Sequence, residues 1–128
     1  MAIGKPATRN PQINIMKKIE AIIKPSKLKP VQLALKEAEI PCMTVMNVKG
    51  SGLQKSYSQV YRGSEKSNIL KSRVMIICVI SDKNLERCIN IIMDNASTES
   101  VGDGKIFVYD VQDAIRIRNR VRGNDAIK

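Results

Sequence analysis

The chain has 128 residues, of which 43% are hydrophobic, and its 22 basic and 12 acidic side chains give a formal net charge of +10. That length suits one domain, and the hydrophobic content can fill a core, which excludes wholesale disorder. The charge indicates anionic partners, but the sequence has no Trp, one Phe and three Tyr, so few side chains could stack on nucleic-acid bases.

The cysteines and the lack of histidine argue against a zinc site. Cys42, Cys78 and Cys88 lie far apart in apolar runs, without a Cys-x-x-Cys pair. Zinc sites need clustered thiolates or imidazoles, so we expect reduced core thiols in an intracellular protein. No apolar run approaches the roughly 20 residues that span a bilayer. Residues 1–15 have no apolar segment typical of a secretory signal, and we expect a flexible extension or an engineered addition there.

The first half of the chain predicts a β-α-β unit. The isoleucine-rich run Lys17–Lys24 favours a strand, and a proline followed by Ser26 interrupts it. Ser26 is a candidate helix cap. Apolar residues at helical spacing then predict a helix to Ala38, with Pro30 tolerated in its first turn. Alternation over 43–49 predicts the second strand.

The middle of the chain loses this periodicity between Gly50 and Lys71, where glycines, serines and basic residues dominate. Loops longer than about 15 residues are uncommon in compact domains and are usually functional or disordered. We therefore predict a functional loop over residues 52–71.

The second half repeats the plan of the first. A nearly continuous apolar run over 73–80 predicts a central strand covered on both faces. Ser81 or Asp82 is expected to cap a second helix, whose inward face is Leu85, Cys88, Ile89 and Ile92. Strands follow over 105–111 and, briefly, over 114–118.

The order of elements predicts an α+β fold, a ferredoxin-like βαββαβ sandwich with a long loop between strands 2 and 3 and a short C-terminal strand. Residues 120–128 are expected to be a loose tail. Unpaired sheet edges favour association between copies of the chain.

A glycine-rich turn is the first candidate for phosphate binding. Gly102, Asp103, Gly104 and Lys105 lie between the second helix and a strand. Glycines let backbone N–H groups approach a phosphate closely, and lysine adds a point charge. A tight turn with a solvated lysine explains the same four residues equally well.

Arg116 and Arg118 are the second candidate. Alternation along a strand would place both on one face, and the guanidinium fork suits phosphate. An edge strand protected by charge is the alternative interpretation. Two such signals close together in sequence support each other.

Several motifs in order resemble the PII nitrogen-regulatory signal-transduction proteins, and the match runs without an obvious gap from Met16 to about Arg118. The motifs are MKKIEAIIKPSKL at 16–28, MTVMNVKGSGLQK at 43–55, YRGSE at 61–65, TESVGDGKIF at 98–107 and IRIR at 115–118.

The resemblance implies a PII-like domain over residues 16–119 that forms a homotrimer with nucleotide sites between subunits. It implies that the loop 52–71 docks on a target such as an ammonium transporter or an enzyme of nitrogen metabolism. The expected location is the cytoplasm, with the plastid stroma as the alternative. The expected role is regulation, not catalysis.

The resemblance also assigns residues to ligands. The expected nucleotide contacts come from both sides of an intersubunit cleft: Ile22, Thr44, Gly50, Gly52, Val79, Gly102, Asp103, Gly104, Lys105, Arg116 and Arg118. Gln54 would complete the shell of a magnesium ion beside ATP, where family members chelate 2-oxoglutarate. Arg73 stands where the family usually has a lysine that pairs with this oxo-acid.

Some positions depart from the family pattern. Leu53 replaces a usual arginine, Glu99 a usual glycine and Ile77 a usual acidic residue. Lys66 stands where many members carry a uridylylated tyrosine, whereas Ser64 is a candidate phosphorylation site.

These departures motivate an alternative: a divergent paralogue that senses only adenine nucleotides or another small anion. Nucleic-acid binding, suggested by the net charge, is a more distant alternative. An enzyme that hydrolyses ATP is disfavoured, with no more than incidental turnover expected, because the chain has no histidine and the motifs place no clear carboxylate base.

Overall fold

A computed structural model describes residues 15–40, 43–51 and 69–128. The predicted N-terminal extension, except Ile15, therefore lies outside the described residues. The predicted loop 52–71 lies outside them up to residue 68.

Within the described ranges, four strands form one sheet: β1 (Met16–Ile23), β2 (Thr44–Gly50), β3 (Lys71–Ser81) and β4 (Gly104–Val111). The strand order is β2-β3-β1-β4, and each neighbouring pair is antiparallel. Two helices, α1 (Leu28–Glu37) and α2 (Leu85–Ala96), connect β1 to β2 and β3 to β4. This arrangement confirms the predicted ferredoxin-like α+β fold.

The core lies between both helices and one face of the sheet. Burial along β3 alternates, since Val74, Ile76 and Cys78 point inward and their neighbours are only partly buried. This period of two matches a strand covered on one face, so the cover on both faces expected from the apolar run is wrong. Each fully buried aliphatic side chain contributes about 1.5–3 kcal/mol. The helices supply Val31, Leu35, Cys88, Ile92 and Ala96 to the same cluster.

The start of each helix differs from the predicted cap. Ser26 lies inside a 3-10 turn, Pro25–Lys27, and so does not occupy a cap position: Lys24 is the N-cap of the turn and Lys27 that of the helix. The turn is closed instead by the backbone N–H of Leu28, which donates to the Pro25 carbonyl. A second 3-10 turn, Asp82–Asn84, precedes α2 in the same way. Backbone bonds of such turns satisfy the donors that a serine cap would otherwise serve.

The thiols of Cys78 and Cys88 are free and buried, in agreement with the prediction for these two positions. Contact with Cys88 together with burial raises the pKa of the Cys78 thiol. Cys42 lies outside the described residues.

The C-terminal segment is the main correction to the predicted elements. The short strand expected over 114–118 is reduced to one bridge pair, Ile115 with Arg122. The backbone N–H of Arg116 donates to the Val121 carbonyl at 2.8 Å, so the chain turns back on itself before it can join the sheet. Residues 120–128, expected to be loose, contain a 3-10 helix, Gly123–Ile127, that contacts β3.

At Gly104, the backbone of β4 lies very close to that of β1. Its φ is +111°, and an added Cβ would lie 1.8 Å from the Ile22 carbonyl oxygen. Both the backbone conformation and the close approach therefore exclude a side chain at this position.

We predict that Gly104→Ala lowers the free energy of unfolding by about 3 kcal/mol or more, because β1 and β4 must separate to admit the methyl group. Denaturant unfolding of the unliganded protein measures this loss. Gly50→Ala is the matched control, since a Cβ there meets nothing within 4 Å, and its change should stay below about 1 kcal/mol. Equal losses in the two variants would contradict the prediction.

Candidate functional site

The segment between α2 and β4 forms a tight loop that the Asp103 carboxylate organises from within. Its Oδ2 accepts the backbone N–H of Thr98 at 2.6 Å and that of Ser100 at 3.3 Å. Its Oδ1 accepts the Thr98 hydroxyl. The family resemblance assigns Asp103 to the nucleotide site, and in this structure its carboxylate accepts hydrogen bonds from the loop's own donors. Residues 98–105, which contain the turn 102–105 predicted to bind phosphate, are called the phosphate loop.

Lys24, at the end of β1, joins this loop from a distant part of the sequence. Its Nζ lies 3.2 Å from Asp103 Oδ1, 3.4 Å from Thr98 Oγ1 and 3.3 Å from Ser100 Oγ. Hydrogen bonds from Thr98 and, to a lesser extent, from Lys24 hold the pKa of the Asp103 carboxyl well below its ordinary range. The loop therefore contains an ionised carboxylate with a full set of partners.

Three residues of the loop have a positive φ. Gly102 and Gly104 have φ values of +97° and +111°, which glycine adopts without strain. Glu99 has a φ of +60°, which costs a non-glycine residue about 1–2 kcal/mol. The departure at position 99 noted in the sequence therefore falls on a position whose geometry favours glycine.

The strand register decides which predicted site residues share a face. Residues directly opposite one another in neighbouring strands point to the same side of a sheet. Lys105 lies opposite Ile22, and Thr44 lies opposite Ile77, two residues from Val79. All of these lie on the face that the helices leave uncovered.

Thr44 and Lys105 nevertheless lie on opposite edges of this face. Thr44 is in β2 and Lys105 in β4, with β3 and β1 between them. Three strand spacings separate the two edges, about 14 Å in all. One chain therefore does not bring the predicted adenine contact at Thr44 next to the phosphate loop.

The two predicted arginines do not share a strand face. The Arg116 guanidinium donates to the Asp125 carbonyl at 2.7 Å, which ties it to the C-terminal 3-10 helix. Arg118 is exposed in the turn that follows, next to Ile117, whose side chain is 94% exposed.

The remaining predicted residues lie either next to the predicted loop 52–71 in sequence or within it. Arg73 lies near the start of β3 and donates to the Ser72 carbonyl at 2.8 Å, and Gly50 ends β2 opposite Lys71. Gly52, Gln54 and Ser64 lie outside the described residues.

The uncovered face of the sheet is rich in apolar side chains at its edges. Met46 is 43% exposed and Phe107 is 44% exposed. Tyr109, on the same face, donates its hydroxyl to Glu20 at 3.1 Å, and the Lys18 ammonium lies 5.0 Å from its ring centre. This face therefore keeps apolar side chains in contact with solvent.

Lys24, Thr98 and Ser100 were missed by sequence reasoning. The signal lies in the register: Ile23 pairs with Gly104, so the residues just beyond that pair, Lys24 and Asp103, become neighbours. A sequence pattern predicts that strands exist but does not fix which residues face each other across them.

The described residues include neither a candidate metal site nor a candidate membrane-spanning helix. Within ranges 15–40, 43–51 and 69–128, no group of three or more acidic or thiol side chains is placed to hold a metal ion. No helix in that part of the chain is both long enough and apolar enough to cross a membrane.

We predict that acid weakens the contribution of Asp103 to stability. Because its pKa is lowered on folding, that contribution is complete above the ordinary aspartate pKa and is lost as the pH falls from about 4 toward the folded-state value. Unfolding of the wild type and of Asp103→Asn at pH 7 and pH 3 measures the effect. The stability gap between them should narrow at pH 3; a constant or wider gap would contradict the prediction.

Comparison with known proteins identifies relatives over nearly the whole described chain. Residues 16–121 match the family model of nitrogen regulatory protein P-II. The P-II proteins of Pasteurella multocida and Rhodospirillum rubrum are 47% and 50% identical to this chain over 112 residues, which cover 88% of this chain and all of each relative. The crystal structure of Arabidopsis thaliana PII bound to citrate superposes with a TM-score of 0.74 at 34% identity, covering 88% of this chain and 92% of the plant chain. This chain therefore belongs to the nitrogen regulatory protein P-II family.

Proposed function

We propose that this chain is a signal-transduction regulator of nitrogen assimilation that binds ATP or ADP in clefts between the subunits of a homotrimer. The separation of Thr44 from the phosphate loop carries this proposal. Residues that the family resemblance assigns to one nucleotide lie on opposite edges of the sheet, about 14 Å apart. Edge-to-edge contact between two copies of the chain closes that distance.

The uncovered face of the sheet supports association of the chains. Met46 and Phe107 each leave more than two-fifths of the side chain exposed on this face, and association would remove that apolar surface from water. Both strands at the sheet edges, β2 and β4, also have one unpaired side. A closed trimer buries the face and protects the edges.

In such a cleft the phosphates lie against the phosphate loop. Lys105 and the backbone at Gly102 and Gly104 supply charge and close approach, and Arg116 and Arg118 reach in from the neighbouring subunit. Thr44 and the backbone near Val79 hold the adenine. Ile22 and Gly50 line the cleft.

The signal leaves the site through the loop 52–71. Gly50 and Arg73 lie at the base of this loop, so a ligand that touches them favours one arrangement of the loop over others. A cytoplasmic target, such as an ammonium transporter or an enzyme of nitrogen metabolism, then binds one arrangement in preference.

Magnesium and 2-oxoglutarate belong to the same proposal. Gln54 completes the shell of a magnesium ion bound with ATP, and Arg73 pairs with a carboxylate of the oxo-acid. Arginine keeps the positive charge that a lysine would supply and adds a bidentate fork.

The alternative is a paralogue that senses only adenine nucleotides or another small anion. Glu99 favours this alternative, because its carboxylate adds a negative charge to the phosphate loop. Its φ of +60° also places a strained residue there. The citrate in the Arabidopsis PII crystal is a small polycarboxylate anion of the kind this alternative requires.

Calorimetry with ATP and ADP tests the nucleotide proposal. We expect one nucleotide per chain, bound to a particle whose mass by light scattering equals three chains. Arg118→Ala should weaken ATP binding about tenfold, because a charge-assisted hydrogen bond to phosphate is lost. Lys36→Ala, on the exposed side of α1, is the control and should leave affinity unchanged. Failure of the wild type to bind either nucleotide at millimolar concentration would overturn the proposal.

A second titration, with 2-oxoglutarate in the presence of Mg-ATP, separates the leading proposal from its alternative. Arg73→Met should weaken 2-oxoglutarate binding at least about tenfold while ATP affinity changes less than about twofold, since only the oxo-acid loses a charge partner. A wild type that ignores 2-oxoglutarate, or a variant that binds it normally, would count against the assignment of Arg73.

A further inference from the structure

The phosphate loop has a net charge that opposes its proposed ligand. Residues 98–105 carry two carboxylates, Glu99 and Asp103, and one ammonium, Lys105, for a net charge of −1. An anion approaching this loop would meet repulsion unless one carboxylate is neutralised from outside. The residue in position to do so is Lys24.

The contacts of Lys24 leave it no free donor. An ammonium group has three N–H donors, and here the three acceptors are Asp103 Oδ1, Thr98 Oγ1 and Ser100 Oγ, at 3.2–3.4 Å. The side chain is 28% exposed, so solvent screens this pair only in part. Lys24 therefore acts on the loop and not on a ligand directly.

Asp103 in turn occupies donors that a phosphate could otherwise use. The backbone N–H groups of Thr98 and Ser100 both point at its carboxylate. The carboxylate fixes the shape of the loop through these hydrogen bonds. Its negative charge would repel an anion, so the loop can bind one only if that charge is cancelled. Strand register supplies the cancelling charge, since Ile23 pairs with Gly104 and places Lys24 beside Asp103.

We propose that Lys24 is a positioning residue of the phosphate site: it cancels the charge of Asp103 and so allows the phosphate loop to bind a polyphosphate. This inference rests on the proposed function, because it concerns the same site. It assigns to Lys24 a role that grows with the charge of the ligand, which a purely structural role would not.

The test compares ATP, ADP and AMP by calorimetry in EDTA, with variants Lys24→Met and Lys24→Arg. We expect Lys24→Met to weaken ATP about tenfold and AMP about threefold or less, because each added phosphate charge meets the uncompensated carboxylate. Lys24→Arg keeps the charge and should stay within about twofold of wild type for all three nucleotides. Lys27→Met, three residues along the chain, is the control. An equal loss for the three nucleotides, or no loss, would overturn the proposal.

The double variant Lys24→Met/Asp103→Asn tests charge compensation directly. Removing both charges should return the ratio of AMP to ATP dissociation constants to within about twofold of wild type, even if both affinities fall because the loop changes shape. A ratio that stays at the value for Lys24→Met would exclude compensation. Thermal unfolding of each variant separates this effect from loss of the fold.

A measurement without nucleotide distinguishes failure of this inference from failure of the proposed function. The side-chain carboxyl resonance of Asp103, followed by NMR against pH, should titrate at a higher pH in Lys24→Met than in the wild type. If the wild type binds no nucleotide, the proposed function fails, and this titration still decides whether Lys24 compensates Asp103. An unchanged titration would overturn the pairing.

Discussion

The antiparallel pairing of β1 with β4 is the constraint on which the rest of the structure depends. At Gly104 the two backbones come so close that no side chain fits between them. The same register places Lys105 opposite Ile22 on the uncovered face and Lys24 beside Asp103 at the strand ends. One backbone contact thus fixes both the position of the phosphate loop and the lysine that compensates its carboxylate.

The two faces of the sheet have different roles. The inner face buries Ile19, Ile76 and their neighbours against the helices and stabilises the single chain. The outer face is left with apolar side chains in solvent and with residues assigned to one ligand on opposite edges. A chain built in this way has a complete core, but it does not bring together the residues assigned to one ligand, which is why the proposed site lies between identical chains.

Within the phosphate loop, the groups that set the shape and the groups proposed to bind the ligand are different ones. Asp103 binds the loop's own N–H groups, and Lys24 is fully occupied by the loop. Lys105 lies on the uncovered face, where a ligand can reach it. Glu99 adds a strained and negatively charged position to this arrangement, which is a physical reason for the chain to differ from its relatives in affinity or ligand choice.

The sequence by itself determined the order of the elements, the inner face of α2, and the position of the glycine-rich turn, whereas the single covered face of β3 emerged only from the structure. The first three properties follow from hydrophobic periodicity and local backbone preference, which act over a few residues. Only the tertiary structure decided the helix starts, the turn at Arg116 that replaces a strand, and the contact of Lys24 with Asp103. These depend on backbone hydrogen bonds and on strand register, which bring together residues 79 positions apart in the case of Lys24 and Asp103. Periodicity contains no information on that register, because a strand shifted by two residues presents the same pattern of faces.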